Sequence, residues 1–186
     1  MNLRRLVFSF LVLSVVSVLS VAQSDTKNFS ANGVSFDYPN GWVLNDDTNS
    51  DAQQLTIARP NNDVQIRVFV HKGKISTEKF ADAKKGFIDP YIASTMKQFV
   101  AMGAKPEQSP DNTEIGGAKA EGVKIAANLG EPGAAKIYWA LVGQRVVILT
   151  IFGPDREIKQ FTPAWDTVRN SLKIEDKSAP KPSPTP

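Results

Sequence analysis

The stretch that most constrains the fold is Arg145–Phe152, RVVILTIF, in which apolar side chains fall on both faces of an extended chain. A strand of this kind must be covered above and below, so it belongs at the centre of a sheet that has packing layers on each side. Two further strand-like runs, Ala118–Ala127 and Ala134–Val142, precede it across short turns that contain glycine. This spacing predicts an antiparallel meander whose last strand is central.

The amino-terminal part of the sequence predicts a hairpin followed by a tight corner. Strands are expected at Lys27–Ala31 and Val34–Tyr38, because Asn32-Gly33 between them supplies the positive backbone angles of a two-residue turn. Pairing is expected to stop at Pro39, which has no N–H to donate. The Pro39–Gly41 turn then brings Trp42 back to the core as a large aromatic anchor.

Polar segments separate the next strands. The loop Asn45–Asp51 leads into strands predicted at Gln53–Ala58 and Val64–His71. In the second of these every even-numbered position is Val or Ile, which indicates one buried face. The stretch between Gly103 and Ala118 is rich in Pro, Asp and Asn and is predicted to be a loop.

Two segments show helical periodicity. From Ser76 to Met102 apolar residues recur three and four apart, which predicts two helices or one helix kinked at Pro90, with Asp89 as a cap. The predicted inward stripe of this segment consists of Phe80, Ala83, Phe87, Ile92, Met96 and Phe99. A closing helix is predicted from Thr162, with Phe161, Trp165, Val168 and Leu172 on its apolar stripe.

The predicted fold class is therefore α+β: a mostly antiparallel central sheet sandwiched between helices. The segment 27–174 has the size of one ordinary domain. Residues 175–186 are rich in proline and carry no large apolar side chain, so a disordered tail is favoured over a docking motif.

Residues 1–22 resemble a signal peptide. Arg4 and Arg5 precede an apolar run, and Ser20-Val21-Ala22 offers small residues for cleavage before Gln23. The alternative is an uncleaved anchor, but Leu6–Val21 is 16 residues long, short of the roughly 20 that span a bilayer. We therefore expect a periplasmic or secreted protein with no transmembrane helix in the mature chain.

Composition narrows the classes of partner. Removal of Arg4 and Arg5 leaves 20 basic against 19 acidic residues, so the net charge falls from +3 to +1. Basic and acidic residues alternate along the chain, which argues against nucleic-acid binding. The absence of cysteine excludes disulfides and thiolate metal sites, and favours a bacterial exported protein whose stability rests on its core.

Catalytic patterns in the sequence are weak. Ser94 and Lys97 form a Ser-x-x-Lys pair, but this pattern occurs four times in the chain and its usual companion motifs are absent. The Asp47–Asp51 stretch imitates the start of a calcium loop, yet lacks the glycine and glutamate that such a loop requires. His71 is the single histidine. No catalytic residue, metal ligand or cofactor is predicted.

Tyr138 and Trp139 are adjacent in one predicted strand, so their side chains face opposite sides of the sheet. We expect one of them in the core; for the other, the core and a surface cleft are the alternatives. The candidate binding face joins Tyr138 to Arg67 and His71, as residues that flank the polar edge of the sheet.

The stretch Phe36–Trp42, FDYPNGW, together with the order of predicted elements, resembles the PsbP-like superfamily. This superfamily includes the PsbP subunit of photosystem II, DcrB-like bacterial envelope proteins and Ran-binding Mog factors. The likeness spans about Phe29 to Ile174, and it includes a final helix that ends near Ser-Leu, here Ser171-Leu172. It implies an α/β/α sandwich and a role in assembly or binding, but supplies no site residues.

The sequence thus favours an exported, soluble, non-catalytic binding or assembly module of the bacterial cell envelope, which acts on an envelope protein or a small ligand. The alternative is a serine hydrolase or acyltransferase that uses Ser94 and Lys97, whose side chains are three apart on one helical face.

Overall fold

The structure is a computed structural model that describes residues 25–175. The leader predicted over 1–22 and all of the predicted tail beyond Glu175 lie outside the described residues. Within them the strands are β1 (Thr26–Ala31), β2 (Val34–Pro39), β3 (Val43–Asp46), β4 (Ala52–Ala58), β5 (Gln65–His71), β6 (Glu107–Ile115), β7 (Ala118–Asn128), β8 (Pro132–Val142), β9 (Arg145–Pro154) and β10 (Lys173–Ile174). The α-helices are α1 (Phe80–Ala83), α2 (Asp89–Ala101), α3 (Asp155–Gln160) and α4 (Thr162–Ser171), with a 3₁₀ turn at Thr77–Lys79 and a π turn at Lys84–Ile88.

The strands form two antiparallel sheets. The main sheet has the order β3-β4-β5-β9-β8-β7-β6, and a small sheet has the order β1-β2-β10. This arrangement of a mostly antiparallel sheet between helices confirms the predicted α+β class.

Strand β9 occupies the centre of the main sheet, as its apolar sequence predicts. Its residues from Val146 to Ile151 are all buried, and they alternate between two separate cores. One core lies beneath α4 and the small sheet, and includes Phe36, Trp165 and Leu172. The other lies beneath α1 and α2. The centre of the main sheet is therefore covered on both faces.

The hairpin and corner at the start of the chain are confirmed, but pairing does not stop at Pro39, because Pro39 lies opposite Thr26 and Asn40 N donates to Asp25 O at 2.8 Å. Asn32 and Gly33 have φ values of 52° and 76°, the left-handed angles that the two-residue turn requires. After the corner Trp42 is only 5% exposed, and its ring meets that of Phe161 edge-on at 5.5 Å. Trp165 is also buried, so both tryptophans are core residues.

The helical segment before β6 differs from its prediction. The π turn inserts one extra residue, which moves the inward position from Phe87 to Ile88, so Phe87 is 37% exposed while Ile88 is fully buried. The helical backbone continues through Asp89, which is the first residue of α2 and not its cap. The wider turn ends two residues before Pro90, a residue with no N–H for regular helical bonding.

Three short or exposed elements were not predicted. The polar stretch before the meander is β6, an edge strand whose exposed side chains and Pro110 hide its strand character. Strand β3 includes Asn45 and Asp46, which the sequence predicts to lie in a loop. Helix α3 is a six-residue segment between β9 and α4.

Candidate binding groove along α2

Helix α2 covers only part of the sheet face on which it packs. Its Phe99 meets Phe152 of β9 at 5.8 Å between ring centroids, and its Tyr91 hydroxyl lies 3.2 Å from Thr150 Oγ1, also on β9. Beyond β9 the same face continues onto β5, β4 and β3. There Arg67 and Val43 are exposed, so this part of the face is open to solvent.

Strand register assigns residues to this open face. Side chains directly opposite one another on paired strands share a face. One such row crosses the sheet as Asn45, Thr56, Arg67 and Thr150. Because Thr150 contacts Tyr91, the whole row lies on the α2 side of the sheet.

A groove runs along the angle between α2 and this open face. The helix contributes one wall through Tyr91, Thr95 and Gln98, with Met102 just beyond its end. Arg67, Thr150 and Phe152 form the floor. The spacing of the wall residues, four, three and four, places them on one side of a helix.

A cavity of about 350 Å³ adjoins the groove at the end of α2. Phe99 and Phe152 line both the narrow part and the cavity, so the two lie side by side. We call the combined feature the α2 groove, lined by Asn62, Asp63, Gln65, Arg67, Tyr91, Thr95, Gln98, Phe99, Met102, Ala127, Leu129, Glu131, Gly133, Ala134, Ala135, Thr150, Phe152, Gly153 and Pro154. The volume of the cavity lies within the range of small-molecule sites.

The end of α2 is held by backbone hydrogen bonds. Ala104 N donates to Phe99 O at 3.0 Å and Gly103 N donates to Val100 O at 2.9 Å, while Gly103 has a φ of 88°. These are the bonds of a Schellman motif, and they confirm Gly103 as the predicted helix stop. The motif fixes the backbone that presents Met102 to the groove.

Of the charged groups in the groove, Glu131 forms an ion pair, whereas Arg67 is hydrogen-bonded to a neutral side chain. Arg67 Nη2 donates to Gln65 Oε1 at 3.2 Å, and its opposite neighbours on β4 and β9 are the uncharged Thr56 and Thr150. Glu131 at the cavity forms an ion pair of 3.3 Å with Arg156. The floor of the groove therefore presents a guanidinium whose bonded partner is a neutral amide.

The structure brings together only part of the predicted binding face. Arg67 lies in the α2 groove, and His71 lies on the same face of β5, about 13 Å further along the strand. The His71 ring packs on Phe87 at 4.6 Å, and its Nδ1 accepts a hydrogen bond from Gly73 N at 3.1 Å. His71 is therefore engaged in the turn that follows its strand.

Tyr138 lies on the opposite face of the sheet, in the core beneath α4. Its hydroxyl donates to Asp111 Oδ2 at 2.7 Å, and its ring lies 5.7 Å from that of Trp165. Burial, and then the bond to Asp111, raise the pKa of Tyr138 well above its usual range. Trp139 is buried in the other core, so both residues are core, and the alternative that places one of them at a surface cleft is wrong, as is the place of Tyr138 in the candidate binding face.

The weak chemical patterns take ordinary structural roles. Ser94 and Lys97 are both exposed on α2 and do not line the α2 groove. In the calcium-like loop Asn49 Oδ1 accepts hydrogen bonds from the backbone N–H groups of Asp51 and Ala52 at 2.9 and 3.0 Å. Across residues 25–175 no three histidine or acidic side chains are grouped as a metal site would need.

Within the same range no helix combines the length and the apolar character that crossing a bilayer demands.

Comparisons with known proteins find likeness in structure only. No protein-family model matches the chain, and no curated protein matches it in sequence. The solution structure of cyanobacterial PsbP (CyanoP) from Synechocystis sp. PCC 6803 matches with a TM-score of 0.54 at 14% identity, over 87% of this chain and 99% of that one.

Two further solved structures match less well. A protein of Bacteroides thetaiotaomicron VPI-5482 has a TM-score of 0.51 at 15% identity, over 81% of this chain and 49% of that one, so this chain spans about half its length. LpqN of Mycobacterium tuberculosis, described as involved in cell envelope biogenesis, has a TM-score of 0.41 at 15% identity, over 82% and 91% of the two chains. The first two likenesses show the fold, and the third is too low to support an argument.

Proposed function

Because the chain has the PsbP-like fold, and because its sheet leaves a groove beside α2, we propose that this protein is an exported, non-catalytic binding or assembly module of the bacterial cell envelope. Its ligand or partner binds in the α2 groove. The fold alone does not carry this function, since one fold serves many functions.

The observation that carries the proposal is the groove itself. Apolar and polar side chains surround the exposed guanidinium of Arg67, whose bonded partner is a neutral amide, and a concave cavity of about 350 Å³ lies beside them. Binding sites for small molecules and short segments have this composition. The groove also retains two exposed large apolar side chains, Met102 and Leu129, which a bound partner would cover.

Export is supported by the leader-like sequence of residues 1–22. When the full chain is expressed in a bacterium with its own leader, we expect the protein in the envelope fraction to begin at Gln23. Amino-terminal sequencing measures this directly. A protein that still begins at Met1 would contradict cleavage.

Binding through the groove is tested by a pair of matched substitutions on α2. Gln98→Trp places a large ring over the groove, whereas Ser94→Trp places the same ring at another exposed polar position outside it. The exported wild type and Ser94→Trp should retain the same molecules when recovered from the envelope under mild conditions. Gln98→Trp should lose them.

The result is read by mass spectrometry of what is recovered with each variant. Equal recovery with Gln98→Trp and Ser94→Trp would contradict binding in the α2 groove. The non-catalytic part of the proposal is tested separately with ester and β-lactam substrates. Turnover that Ser94→Ala abolishes would overturn it.

A further inference from the structure

We propose that the α2 groove binds amphiphiles with one anionic headgroup, a carboxylate or a phosphate monoester, on a short apolar chain. The headgroup binds the Arg67 guanidinium and the chain enters the adjoining cavity. This inference rests on the proposed binding function and adds the chemical class of the ligand.

Arg67 has a neutral hydrogen-bond partner, which leaves its charge available to a ligand. Its side chain is exposed at the middle of β5, and its hydrogen-bond partner is the amide oxygen of Gln65 at 3.2 Å. Among the other described arginines, Arg156 and Arg169 lie within 3.3 and 3.0 Å of carboxylate oxygens. Arg59 instead lies over the Phe161 ring, and Arg145 donates to Asn32 O. The fork of donors on Arg67 is thus oriented by Gln65 but not neutralised, which suits a carboxylate or phosphate ligand.

The cavity lies beside this headgroup position. Gln65 and Phe152 are directly opposite one another on β5 and β9, and both line the cavity. A chain whose headgroup binds Arg67 would pass the ring of Phe152 to enter the adjoining cavity, which Phe99 and Leu129 also line. Leu129 is 44% exposed, so the chain would cover apolar surface that is otherwise in water.

Two acidic residues, Asp63 and Glu131, line the cavity and would favour binding of a cationic ligand over an anionic one. Glu131 is paired with Arg156 at 3.3 Å and so offers little net charge. Asp63 lines the cavity, and its backbone N–H donates to Glu157 Oε2 at 2.9 Å. Arg67 lines the narrow part beside α2, where no acidic side chain is among the lining residues. The headgroup position is therefore electropositive, and a cationic headgroup at Asp63 is the competing outcome.

The test is calorimetric titration of the exported full chain with probes that differ in one feature. Octanoate and octyl phosphate carry the anion, octanol is neutral, octyltrimethylammonium is cationic, and acetate and inorganic phosphate lack the chain. The two octyl anions should bind at least about tenfold more tightly than octanol, as expected for a charge-assisted hydrogen bond. Extension from hexanoate to octanoate should tighten binding by up to about fourfold per methylene.

Variants assign the headgroup to its residue. Arg67→Gln should weaken octanoate binding by about tenfold and leave octanol unchanged, while Arg67→Lys should retain part of the affinity. Lys97→Gln is the matched control, because it removes one positive charge from exposed α2 outside the groove. It should bind octanoate as the wild type does.

The inference is overturned if octyltrimethylammonium binds as tightly as octanoate. It is also overturned if Arg67→Gln and Lys97→Gln weaken octanoate binding equally. Binding to phosphatidylglycerol vesicles without binding to soluble octyl anions would overturn it as well. If the probes fail while Gln98→Trp still abolishes recovery from the envelope, the ligand class is wrong and the proposed function stands. If Gln98→Trp and Ser94→Trp behave alike, the proposed function itself fails.

Discussion

Replacement of Trp42 with alanine should destabilise the fold by a large and measurable amount. The side chain is 5% exposed and packs edge-on against Phe161 at 5.5 Å, where the corner after β2 meets the start of α4. Truncation of a buried tryptophan typically costs about 3–5 kcal/mol, which combines the lost burial with the cavity left behind.

The corresponding change in melting temperature follows from the size of the chain. A domain of 150–250 residues loses about 2–4 °C per kcal/mol, so the expected decrease for Trp42→Ala is roughly 6–20 °C. Thermal unfolding followed by far-ultraviolet circular dichroism measures it. Trp42→Phe refills part of the space and should fall between the wild type and the alanine variant.

The neighbouring residue provides the control. Val43 is 50% exposed at the start of β3, so Val43→Ala should change the free energy of unfolding by about 0.5 kcal/mol or less. If Trp42→Ala lowers the melting temperature no more than Val43→Ala does, Trp42 is not a core anchor and the argument from the corner is wrong.

Two further predictions concern the tail and Tyr138. Deletion of the chain from Lys177 onward should leave the melting temperature nearly unchanged, since it removes no residue with a large apolar side chain and spares Glu175, whose N–H donates to Gly33 O. A decrease of several degrees would show that the tail packs on the domain. The pKa of Tyr138 is higher in the folded protein than its ordinary value of 10.0, so the free energy of unfolding should fall as the pH rises above about 10, where only the unfolded state loses this proton. Urea unfolding at about pH 9 and about pH 11 should show a smaller loss in Tyr138→Phe than in the wild type, and equal losses would refute the effect of burial.

The parts of the fold that sequence predicts are those where periodicity reports burial. Strand β9 is apolar on both faces, and the stripe of α4 follows a regular helical period, so each is visible without knowledge of its neighbours. The π turn breaks this logic at Phe87, because one inserted residue changes which side chain faces inward. Strand β6 was missed because an edge strand in solvent needs no apolar face.

The candidate groove depends on information that a single strand or helix does not contain. Alternation shows that Tyr138 and Trp139 face opposite ways, but only the register between strands shows that Tyr138 and Arg67 lie on different faces of the sheet. The offset of α2, which leaves one face of β3, of β4 and of part of β5 open to solvent, results from long-range packing. The wall of the groove, however, is indicated by the sequence of α2 alone, because the polar residues Thr95 and Gln98 lie beside its apolar stripe.

Photo-crosslinking in the living cell tests most directly whether a ligand or partner binds in the α2 groove. A photo-crosslinking amino acid, p-benzoylphenylalanine, is introduced at Gln98 in one variant of the exported chain and at Ser94 in another, and both are irradiated before the envelope is isolated. The account predicts a discrete crosslinked product from position 98 and little or none from position 94. Products from position 94 alone, or equal products from the two positions, would contradict a binding function for the α2 groove.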